Sequence, residues 1–300
     1  MTDDHTAAAA DTPGHEVISN TKLSADVHRL VVFAPRVARN REPGQFVIVR
    51  LGPGAERIPL TIADSDSTHG SIELVIQAVG KSTSDLVALA PGDVIHDIVG
   101  PLGRPSDLVS EGVAVCVAGG VGAAVMFPIA RRLAELGADV IAVLGARTSD
   151  HVLFEEQFAS FAELVVCTDD GSAGRAGLVT DALVDVLAQR TVDVVYAAGP
   201  VPMMRAVAAV TQPLDVRTIV SLNPIMVDGT GMCGGCRVKI GETVKFACVD
   251  GPDFDGHQVD FDDLMARLTR YRPTEKVALE VFNESCRIRN DAPASPAPGH

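Results

Sequence analysis

Residues 222–249 read LNPIMVDGTGMCGGCRVKIGETVKFACV, and this stretch decides how the C-terminal part of the chain folds. Cys233 and Cys236 are separated by two residues in a glycine-rich loop, and Cys248 follows after a short strand-like run. Glycine permits the positive φ angles with which a loop can turn several backbone N–H groups towards sulfide. Three thiolates in such a loop predict an inorganic centre. The loop glycines are Gly229, Gly231, Gly234 and Gly235.

The fourth ligand of this centre is predicted from the spacing. The plant-type iron–sulfur pattern is Cys-x4-Cys-x2-Cys with a more distant fourth cysteine, and the residue five positions before Cys233 is Asp228. We therefore predict a [2Fe-2S] cluster with Asp228, Cys233, Cys236 and Cys248 as metal ligands. Two alternatives remain open: a zinc site with His257 as the nearest further ligand, and an Asp-Gly turn at Asp228. A thioredoxin-like redox pair is disfavoured, because the motif does not lie between a strand and a helix.

The composition is that of a globular protein with room for two or three domains, since 47% of its residues are hydrophobic and its mean hydropathy is +0.22. The net charge of −14 disfavours binding to nucleic acid and to anionic membranes. Clustered cysteines favour metal chemistry in a reducing compartment, and Cys116, Cys167 and Cys286 are predicted to be buried or free thiols. The acidic N-terminus has no secretory signal pattern, so we expect a cytoplasmic protein.

The chain divides into segments with different patterns. Residues 1–14 and 291–300 lack a periodic apolar pattern and are predicted to be disordered tails. Residues 15–108 contain short β-rich runs between turn residues, which predicts a small antiparallel β barrel. Residues 109–216 alternate strands with helices, one of them expected near residues 150–161, which predicts a doubly wound α/β domain with a parallel sheet. Residues 217–290 are predicted to form the small C-terminal iron–sulfur domain, with a solvated acidic loop over residues 250–262 and a last helix over residues 261–271.

Two stretches of the predicted barrel carry groups that suit a phosphate ligand. Arg57 precedes the strand Pro59-Leu60-Thr61, and an arginine fork matches the geometry of a pyrophosphate. Gly80-Lys81-Ser82-Thr83 opens a predicted helix, whose free N–H groups can bind phosphate. Each stretch taken alone is equally consistent with a solvated charge or an ordinary helix cap.

Several loops follow strands of the α/β segment, and in parallel sheets ligands bind at this carboxyl edge. The first is Gly119-Gly120-Val121-Gly122, and Asp169 follows a later strand. Gly145-Ala146-Arg147 and Gly199-Pro200-Val201-Pro202-Met203 end two further strands. We predict a dinucleotide site here, although Arg147 could instead form a surface ion pair and Asp169 a loop cap.

These motifs resemble the ferredoxin-NADP reductase superfamily. The flavin domain of that family is matched by Pro43-Gly44-Gln45-Phe46, by the Arg57 and Gly80–Thr83 stretches, and by Gly100-Pro101-Leu102-Gly103. The resemblance implies that Arg57 and Gly80–Thr83 hold the FAD pyrophosphate. It also implies that Pro59, Leu60 and Thr61 lie along the isoalloxazine.

The strand-end loops resemble the NAD(P) domain of the same superfamily, which implies NAD(H) or NADP(H) as a ligand. Arg147 would suit a 2′-phosphate, but Asp150 would repel one, and the resemblance favours NAD. The chain departs from the family pattern at Ala198, where the family commonly has cysteine, and at Pro128, which stands later than the family's proline. A thiol beside the nicotinamide is therefore not part of the expected mechanism.

The order of barrel, NAD(P) domain and iron–sulfur segment resembles electron-transfer subunits of dihydroorotate dehydrogenase. The run DGTGMCGGCRV and the later FACVDGPDFDGH are more similar to small subunits of the NADH-dependent reduced ferredoxin:NADP oxidoreductases, also called sulfide dehydrogenases. The resemblance implies an enzyme subunit that passes electrons between NAD(P)H, FAD and a [2Fe-2S] cluster. It also implies a larger flavin and iron–sulfur partner of the glutamate synthase small-subunit type, and ferredoxin as a further partner.

Three other functions are kept as alternatives. The chain could serve as the electron-transfer subunit of a dihydroorotate dehydrogenase. It could be a zinc-containing, nucleotide-binding regulatory subunit without redox turnover. It could also be a self-contained NAD(P)H reductase for a soluble acceptor.

Overall fold

The computed structural model describes residues 14–291. The predicted tails at residues 1–13 and 292–300 lie outside the described residues, as does the side chain of Cys286. Gly14 and Asp291, which the sequence assigned to the tails, are described, and Asp291 is the last residue of a helix.

The N-terminal part of the chain forms one antiparallel sheet of seven strands that pair in the order β6-β1-β2-β5-β4-β3-β7. Its elements are β1 (His15–Lys22), β2 (Val27–Phe33), α1 (Pro35–Asn40), β3 (Phe46–Arg50), β4 (Ile58–Asp66), β5 (Ser71–Gln77), α2 (Lys81–Val87), β6 (Val94–Ile95) and β7 (Asp97–Leu102). The edge strands β6 and β7 are separated in the chain only by His96. Two residues span at most about 7 Å, so the two edges of the sheet come together and the sheet curls into the predicted barrel.

The middle of the chain forms a parallel sheet in the order β11-β10-β9-β8-β12-β13. Its elements are β8 (Val113–Gly119), α3 (Gly122–Leu136), β9 (Asp139–Ala146), α4 (Glu155–Ala159), β10 (Glu163–Thr168), β11 (Arg175–Ala176), α5 (Val179–Gln189), β12 (Val194–Ala198), α6 (Val201–Thr211) and β13 (Arg217–Ser221). The strand order reverses between β8 and β12, which makes their carboxyl ends the topological switch point. β8 is buried from Ala114 to Ala118, as expected for a strand covered by helices on both faces.

The C-terminal part is attached to this parallel sheet rather than standing apart from it. Its elements are β14 (Arg237–Ile240), β15 (Thr243–Phe246), α7 (Ala247–Asp250), β16 (Asp253–Asp255), α8 (Phe261–Leu268) and α9 (Arg272–Asp291). β16 pairs antiparallel with β13, with Asp253 opposite Ser221. The cluster segment therefore begins and returns at one edge of the parallel sheet.

The cluster segment also packs against the barrel. Arg57 Nε donates to Val227 O at 2.9 Å, and the Arg104 amide donates to Gly251 O at 2.7 Å. Gly229 has φ 79°, and a Cβ there would meet Leu102 Cδ1 at 2.5 Å, so only glycine fits against this strand of the barrel. These contacts fix the loop that carries the cysteines on the barrel surface.

Some predicted elements differ from the structure. The helix expected near residues 150–161 is a 3₁₀ turn at Ser149–His151 followed by the short α4, because Phe154 between them has φ 61° and interrupts the helix. The acidic run 250–262 was predicted to be a solvated loop, but it contains β16 and its carboxylates cap neighbouring turns. Asp260, for example, accepts the Asp263 amide at 2.9 Å at the start of α8.

Helix α9 is not among the predicted elements, because the last expected helix ends at Tyr271. It has 20 residues and contacts α2 of the barrel, where Lys81 Nζ lies 5.9 Å from the centre of the Phe282 ring. Among the described helices, none is long and apolar enough to cross a membrane. The charge-free run 113–130 forms β8, a glycine turn and the first half of α3.

Candidate functional site

A cleft of about 690 Å³ opens between the barrel and the carboxyl edge of the parallel sheet. It brings together most of the residues that the sequence predicted to bind cofactors. From the barrel these are Pro59, Leu60 and Thr61; from the sheet they are Gly119, Gly120, Val121, Gly122, Gly145, Arg147, Asp169, Gly199, Pro200 and Met203.

The glycines of the cleft are required by close approach of the backbone. A Cβ on Gly122 would lie 2.1 Å from Ala198 O, and a Cβ on Gly119 would lie 2.6 Å from Met203 Sδ. Gly120 has φ 54° and open space around its missing side chain. The two loops of the switch point therefore pack tightly on each other and leave the cleft free beside Gly120, an arrangement that fits a dinucleotide.

The barrel wall of the cleft is strand β4, which faces these loops. Pro59, Leu60 and Thr61 are half-buried, and the neighbouring strand β3 pairs with them through Ile48, Val47 and Phe46. The other face of β3 packs into the barrel core, so this wall is rigid. A planar ring system placed along Pro59–Thr61 would face the sheet loops across the cleft, and the residues present fit FAD.

Sequence analysis missed several residues of the cleft. Ser221 and Asn223 follow β13 directly, and recognising that strand would have found them through the same strand-end rule. Gln77 and His151 also line the cleft and both contact Asp26, at 2.8 Å from Gln77 Nε2 to Oδ2 and 3.2 Å from His151 Nε2 to Oδ1. No local motif marks this contact, because it joins the barrel to the loop after β9.

The other predicted flavin-binding residues, Arg57, Gly80, Lys81, Ser82 and Thr83, do not line this cleft. Thr83 Oγ1 accepts the Gly80 amide at 3.0 Å, Lys81 Nζ pairs with Asp85 at 2.7 Å, and Ser82 Oγ donates to Glu56. Lys81 and Ser82 line a separate cavity of about 140 Å³ beside Glu56. Arg57 and the start of α2 thus lie at one side of the barrel, and their role in binding pyrophosphate stays a prediction.

Two of the predicted metal ligands are in contact. Cys236 and Cys248 are both buried, and their sulfurs are 3.2 Å apart without a disulfide. Burial, and secondly the Cys236 thiol, raise the pKa of Cys248 to about 12. Cys233 is exposed, and its sulfur accepts the Gly235 amide at 3.4 Å.

Asp228 holds the cysteine loop through its carboxylate. Oδ1 accepts the Thr230 amide at 2.6 Å and Oδ2 accepts the Cys233 amide at 2.5 Å. The Thr230 N–H lowers the pKa of Asp228, and the Cys233 N–H acts in the same direction. Two of its roughly four lone-pair sites remain for another partner.

Among the described residues, no three His, Cys, Asp or Glu side chains are grouped closely enough to hold a metal ion. The chemistry of the donor set nonetheless fits an iron–sulfur cluster. Cys233 and Cys236 lie on a loop whose glycines at 229, 231 and 234 have φ of 79°, 85° and 64°, the Gly235 amide points at the Cys233 sulfur, and Cys248 at the start of α7 contacts Cys236. The zinc alternative is weaker, because the ring of His257 is bound to Thr211 Oγ1 at 2.9 Å. Cys116 and Cys167 are buried free thiols, as predicted.

Known families match each part of the chain. Residues 15–106 match the oxidoreductase FAD-binding domain, and residues 116–209 match the oxidoreductase NAD-binding domain. Residues 223–260 match the iron-sulfur cluster binding domain of dihydroorotate dehydrogenase B. The cysteine loop and the cleft therefore fall within matched families.

Similar proteins cover nearly the whole chain. The dihydroorotate dehydrogenase B (NAD(+)) electron transfer subunit homolog of Thermotoga maritima is 45% identical over 268 residues, covering 89% of this chain and 95% of that protein. The dihydroorotate dehydrogenase B (NAD(+)) electron transfer subunit of Geobacillus thermodenitrificans is 36% identical, covering 81% of this chain and 96% of that protein. A solved chain from the NADH-dependent reduced ferredoxin-NADP oxidoreductase superposes with a TM-score of 0.86 at 44% identity, covering 91% of this chain and 99% of that one.

The close approach at Gly122 generates a testable prediction. Gly122→Ala places a Cβ 2.1 Å from Ala198 O, so α3 must move away from β12. We expect a loss of about 1–3 kcal/mol in the free energy of unfolding and weaker dinucleotide binding. Urea unfolding and calorimetric titration with NADH measure the two effects.

Gly52→Ala is the control, because nothing lies within 4 Å of its added Cβ. Unchanged stability and affinity in Gly122→Ala would contradict this account of the switch point.

Proposed function

The chain belongs to the family of FAD- and NAD-binding oxidoreductases that carry the iron–sulfur domain of dihydroorotate dehydrogenase B, and from this membership we propose a ferredoxin:NADP type of transhydrogenation. In this reaction the chain passes electrons between NADH, FAD and a [2Fe-2S] cluster and on to a larger subunit. One observation carries the proposal. In the cleft the strand Pro59–Thr61 lies opposite the switch-point loops, and the cysteine loop packs on the neighbouring strand β3 through Ile48, the residue paired with Pro59.

The dinucleotide would lie on the sheet loops. Gly119–Gly122 give it backbone access to the start of α3, and Gly199, Pro200 and Met203 form the adjoining wall. Gly145, Arg147 and Asp169 lie at the ends of the next strands, where the adenosine half of a dinucleotide sits in folds of this type. We assign these residues to binding and orientation rather than to proton transfer.

FAD would lie along the barrel wall, with Pro59, Leu60 and Thr61 beside its ring and Arg57 with Gly80–Thr83 towards its pyrophosphate. FAD bound there would supply the acceptance of hydride from the nicotinamide and the release of single electrons to the cluster, and that chemistry would belong to the cofactors. The chain positions the cofactors and excludes water from the cleft. Leu60, Val125 and Met203 supply apolar surface in the cleft.

The route from the cleft to the cluster is short and runs along the outer face of the barrel, across strands β4 and β3. Pro59 pairs with Ile48 across β3 and β4. A Cβ on Gly229 would meet Ile48 Cγ1 at 2.9 Å, so the cysteine loop packs directly on Ile48. One residue of β3 thus separates the proposed flavin strand from the loop that carries Asp228 and Cys233.

The proposed redox role predicts both content and reactivity. Protein purified under argon should contain iron and sulfide with flavin and without zinc. NADH should bleach the flavin absorbance at about 450 nm and then the absorbance of the cluster. Stopped-flow absorbance and elemental analysis test this. Zinc without flavin, or flavin that stays oxidised with both NADH and NADPH, would contradict the proposal.

We assign the cluster as [2Fe-2S] with Asp228, Cys233, Cys236 and Cys248 as ligands. The support is the plant-type spacing with Asp228 in the first position. A carboxylate is a harder donor than thiolate but suits a ferric site. The two amide hydrogen bonds of Asp228 leave lone pairs for iron.

Substitution of Asp228 separates a ligand from a turn residue. If Asp228 binds iron, Asp228→Cys should give an all-thiolate cluster with a changed EPR spectrum and reduction potential, and Asp228→Ala should lose iron. If it only caps the loop, both variants should keep the spectrum and lose about 1 kcal/mol of stability. Asp255→Ala is the matched control, because Asp255 also accepts a backbone amide, that of His257 at 3.0 Å. Retained iron in Asp228→Ala with an unchanged EPR spectrum in Asp228→Cys would rule out the ligand role.

The chain acts, in this proposal, with a larger flavin and iron–sulfur subunit of the glutamate synthase small-subunit type, with ferredoxin as a further partner. The relatives that it matches are electron transfer subunits, and one similar solved chain comes from a flavin-based bifurcating oxidoreductase. Dihydroorotate dehydrogenase is the second candidate function, favoured by the match of residues 223–260.

The partner subunit distinguishes these functions. Affinity purification of the tagged chain from its native host should recover a larger subunit that contains flavin and iron–sulfur clusters and reduces NADP with ferredoxin. Recovery of a dihydroorotate-oxidising subunit would establish the second candidate. Full physiological activity from the 31.4 kDa chain alone would contradict both.

A further inference from the structure

A cluster of charged side chains joins the barrel to the α/β part of the chain. We call Asp64 on β4, Arg131 on α3 and Arg41 the seam cluster. We propose that the seam cluster sets the distance between the flavin strand and the dinucleotide loops, so that its members are positioning residues for hydride transfer. This inference rests on the proposed function and extends it to residues outside the cleft.

The contacts of the seam cluster are close and directional. Arg131 holds Asp64 with both arms of its guanidinium, at 2.9 Å from Nη1 to Oδ2 and 2.7 Å from Nη2 to Oδ1. Arg41 adds Nη2 to Asp64 Oδ1 at 2.8 Å and Nε to Ser65 Oγ at 2.8 Å. The Arg41 side chain is 8% exposed, and those of Asp64 and Arg131 are 30% and 34% exposed. Such a two-armed, or bidentate, arginine–carboxylate contact fixes the relative orientation of the two side chains as well as strengthening their attraction.

The two partners lie on the elements that carry the two halves of the cleft. Arg131 is nine residues after Gly122 on α3, which corresponds to about 14 Å along a helix. Asp64 is three residues after Thr61 on β4, or about 10 Å along a strand. α3 contains Pro128, and β4 has a register shift between Ile62 and Asp64, but both segments are packed in one buried cluster. Because such a packed cluster transmits strain, a shift at the seam cluster moves the dinucleotide loop relative to the flavin strand.

Apolar contacts at the same seam are less directional than these hydrogen bonds. Val27, Ala63 and Val75 of the barrel pack in one buried cluster with residues of α3 such as Ala123 and Ala124. These are small side chains, and hydrophobic contact is not directional. The hydrogen bonds of the seam cluster are directional, and they orient the barrel relative to α3. Although burial of Asp64 opposes it, hydrogen bonds from Arg131 and the Ser65 amide lower the pKa of Asp64, so its carboxylate is charged at neutral pH.

Hydride transfer is sensitive to such placement. A displacement of about 1 Å between reacting groups can reduce a rate by about 10²-fold. In the proposed function the sheet loops bind the dinucleotide, and Asp64, Arg131 and Arg41 are not among the residues that line the cleft. Loss of Arg131 should therefore slow hydride transfer and leave affinity nearly unchanged.

The test compares Arg131→Ala with Arg132→Ala in the full chain loaded with its cofactors. Arg132 is the neighbouring arginine on α3, and among the described side chains it pairs with Glu135 of the same helix. We measure the rate of flavin reduction by NADH, the NADH dissociation constant by calorimetry, and the long-wavelength absorbance of the nicotinamide–flavin complex. Arg131→Ala should reduce flavin about 10- to 100-fold more slowly, with weaker long-wavelength absorbance and a nearly unchanged dissociation constant. Arg132→Ala should match the wild type in all three.

A second variant keeps the proposal testable if Arg131→Ala does not fold. Arg131→Lys keeps the charge but loses the two-armed contact, so it should reduce flavin at an intermediate rate. A wild-type rate in either Arg131→Ala or Arg131→Lys would overturn the inference, as would a slow rate explained fully by weaker NADH binding. Failure of the wild-type chain to reduce flavin would instead refute the proposed function, which makes the two failures distinguishable.

Discussion

The pairing of β16 with β13 is the constraint on which the arrangement of the site depends. It attaches the cluster segment to the edge of the parallel sheet, directly beside the switch-point cleft. The chain between these strands must leave the carboxyl end of β13 and return to it, so the cysteine loop is held near the cleft. The barrel then confines that loop from the other side, through Gly229 on Ile48 and Leu102 and through Arg57 on the Val227 carbonyl.

Polar groups at this junction are used mainly to hold segments together. Asp253 sits where the three parts of the chain meet: it accepts Ser106 Oγ at 2.5 Å and stands opposite Ser221 at the cleft. Burial raises the pKa of Asp253, and Ser106 and Ser221 act against that shift. Asp228 has a comparable role in the cysteine loop. Some of the acidic residues, such as Asp253 and Asp228, therefore accept hydrogen bonds within the fold rather than only adding charge to a solvated surface.

Sequence reasoning located the cleft because its residues follow strands, and a strand end is marked locally by an apolar run and a glycine turn. The same rule missed Ser221 and Asn223. The strand before them, β13, has only five residues and begins with the polar Arg217 and Thr218, so its apolar run is too short to be recognised as a strand. The Asp64–Arg131 contact was not predictable, since it joins residues 67 positions apart in different domains. The close contact of Cys236 with Cys248 followed from spacing. The hydrogen bonds that orient Asp228 could not be predicted from spacing, because they depend on the path of the loop.

The short outer strands have a consequence for the behaviour of the protein in concentrated solution. An exposed sheet edge is a template for pairing with other chains, and proteins limit this with very short or charged edge strands. Here β6 and β11 have two residues each, and β16 has three, of which the exposed one is the acidic Asp255. The longer edge β7 lies beside β6 where the barrel curls. Among the described residues, the two seven-stranded sheets thus offer little edge for intermolecular β-sheet growth.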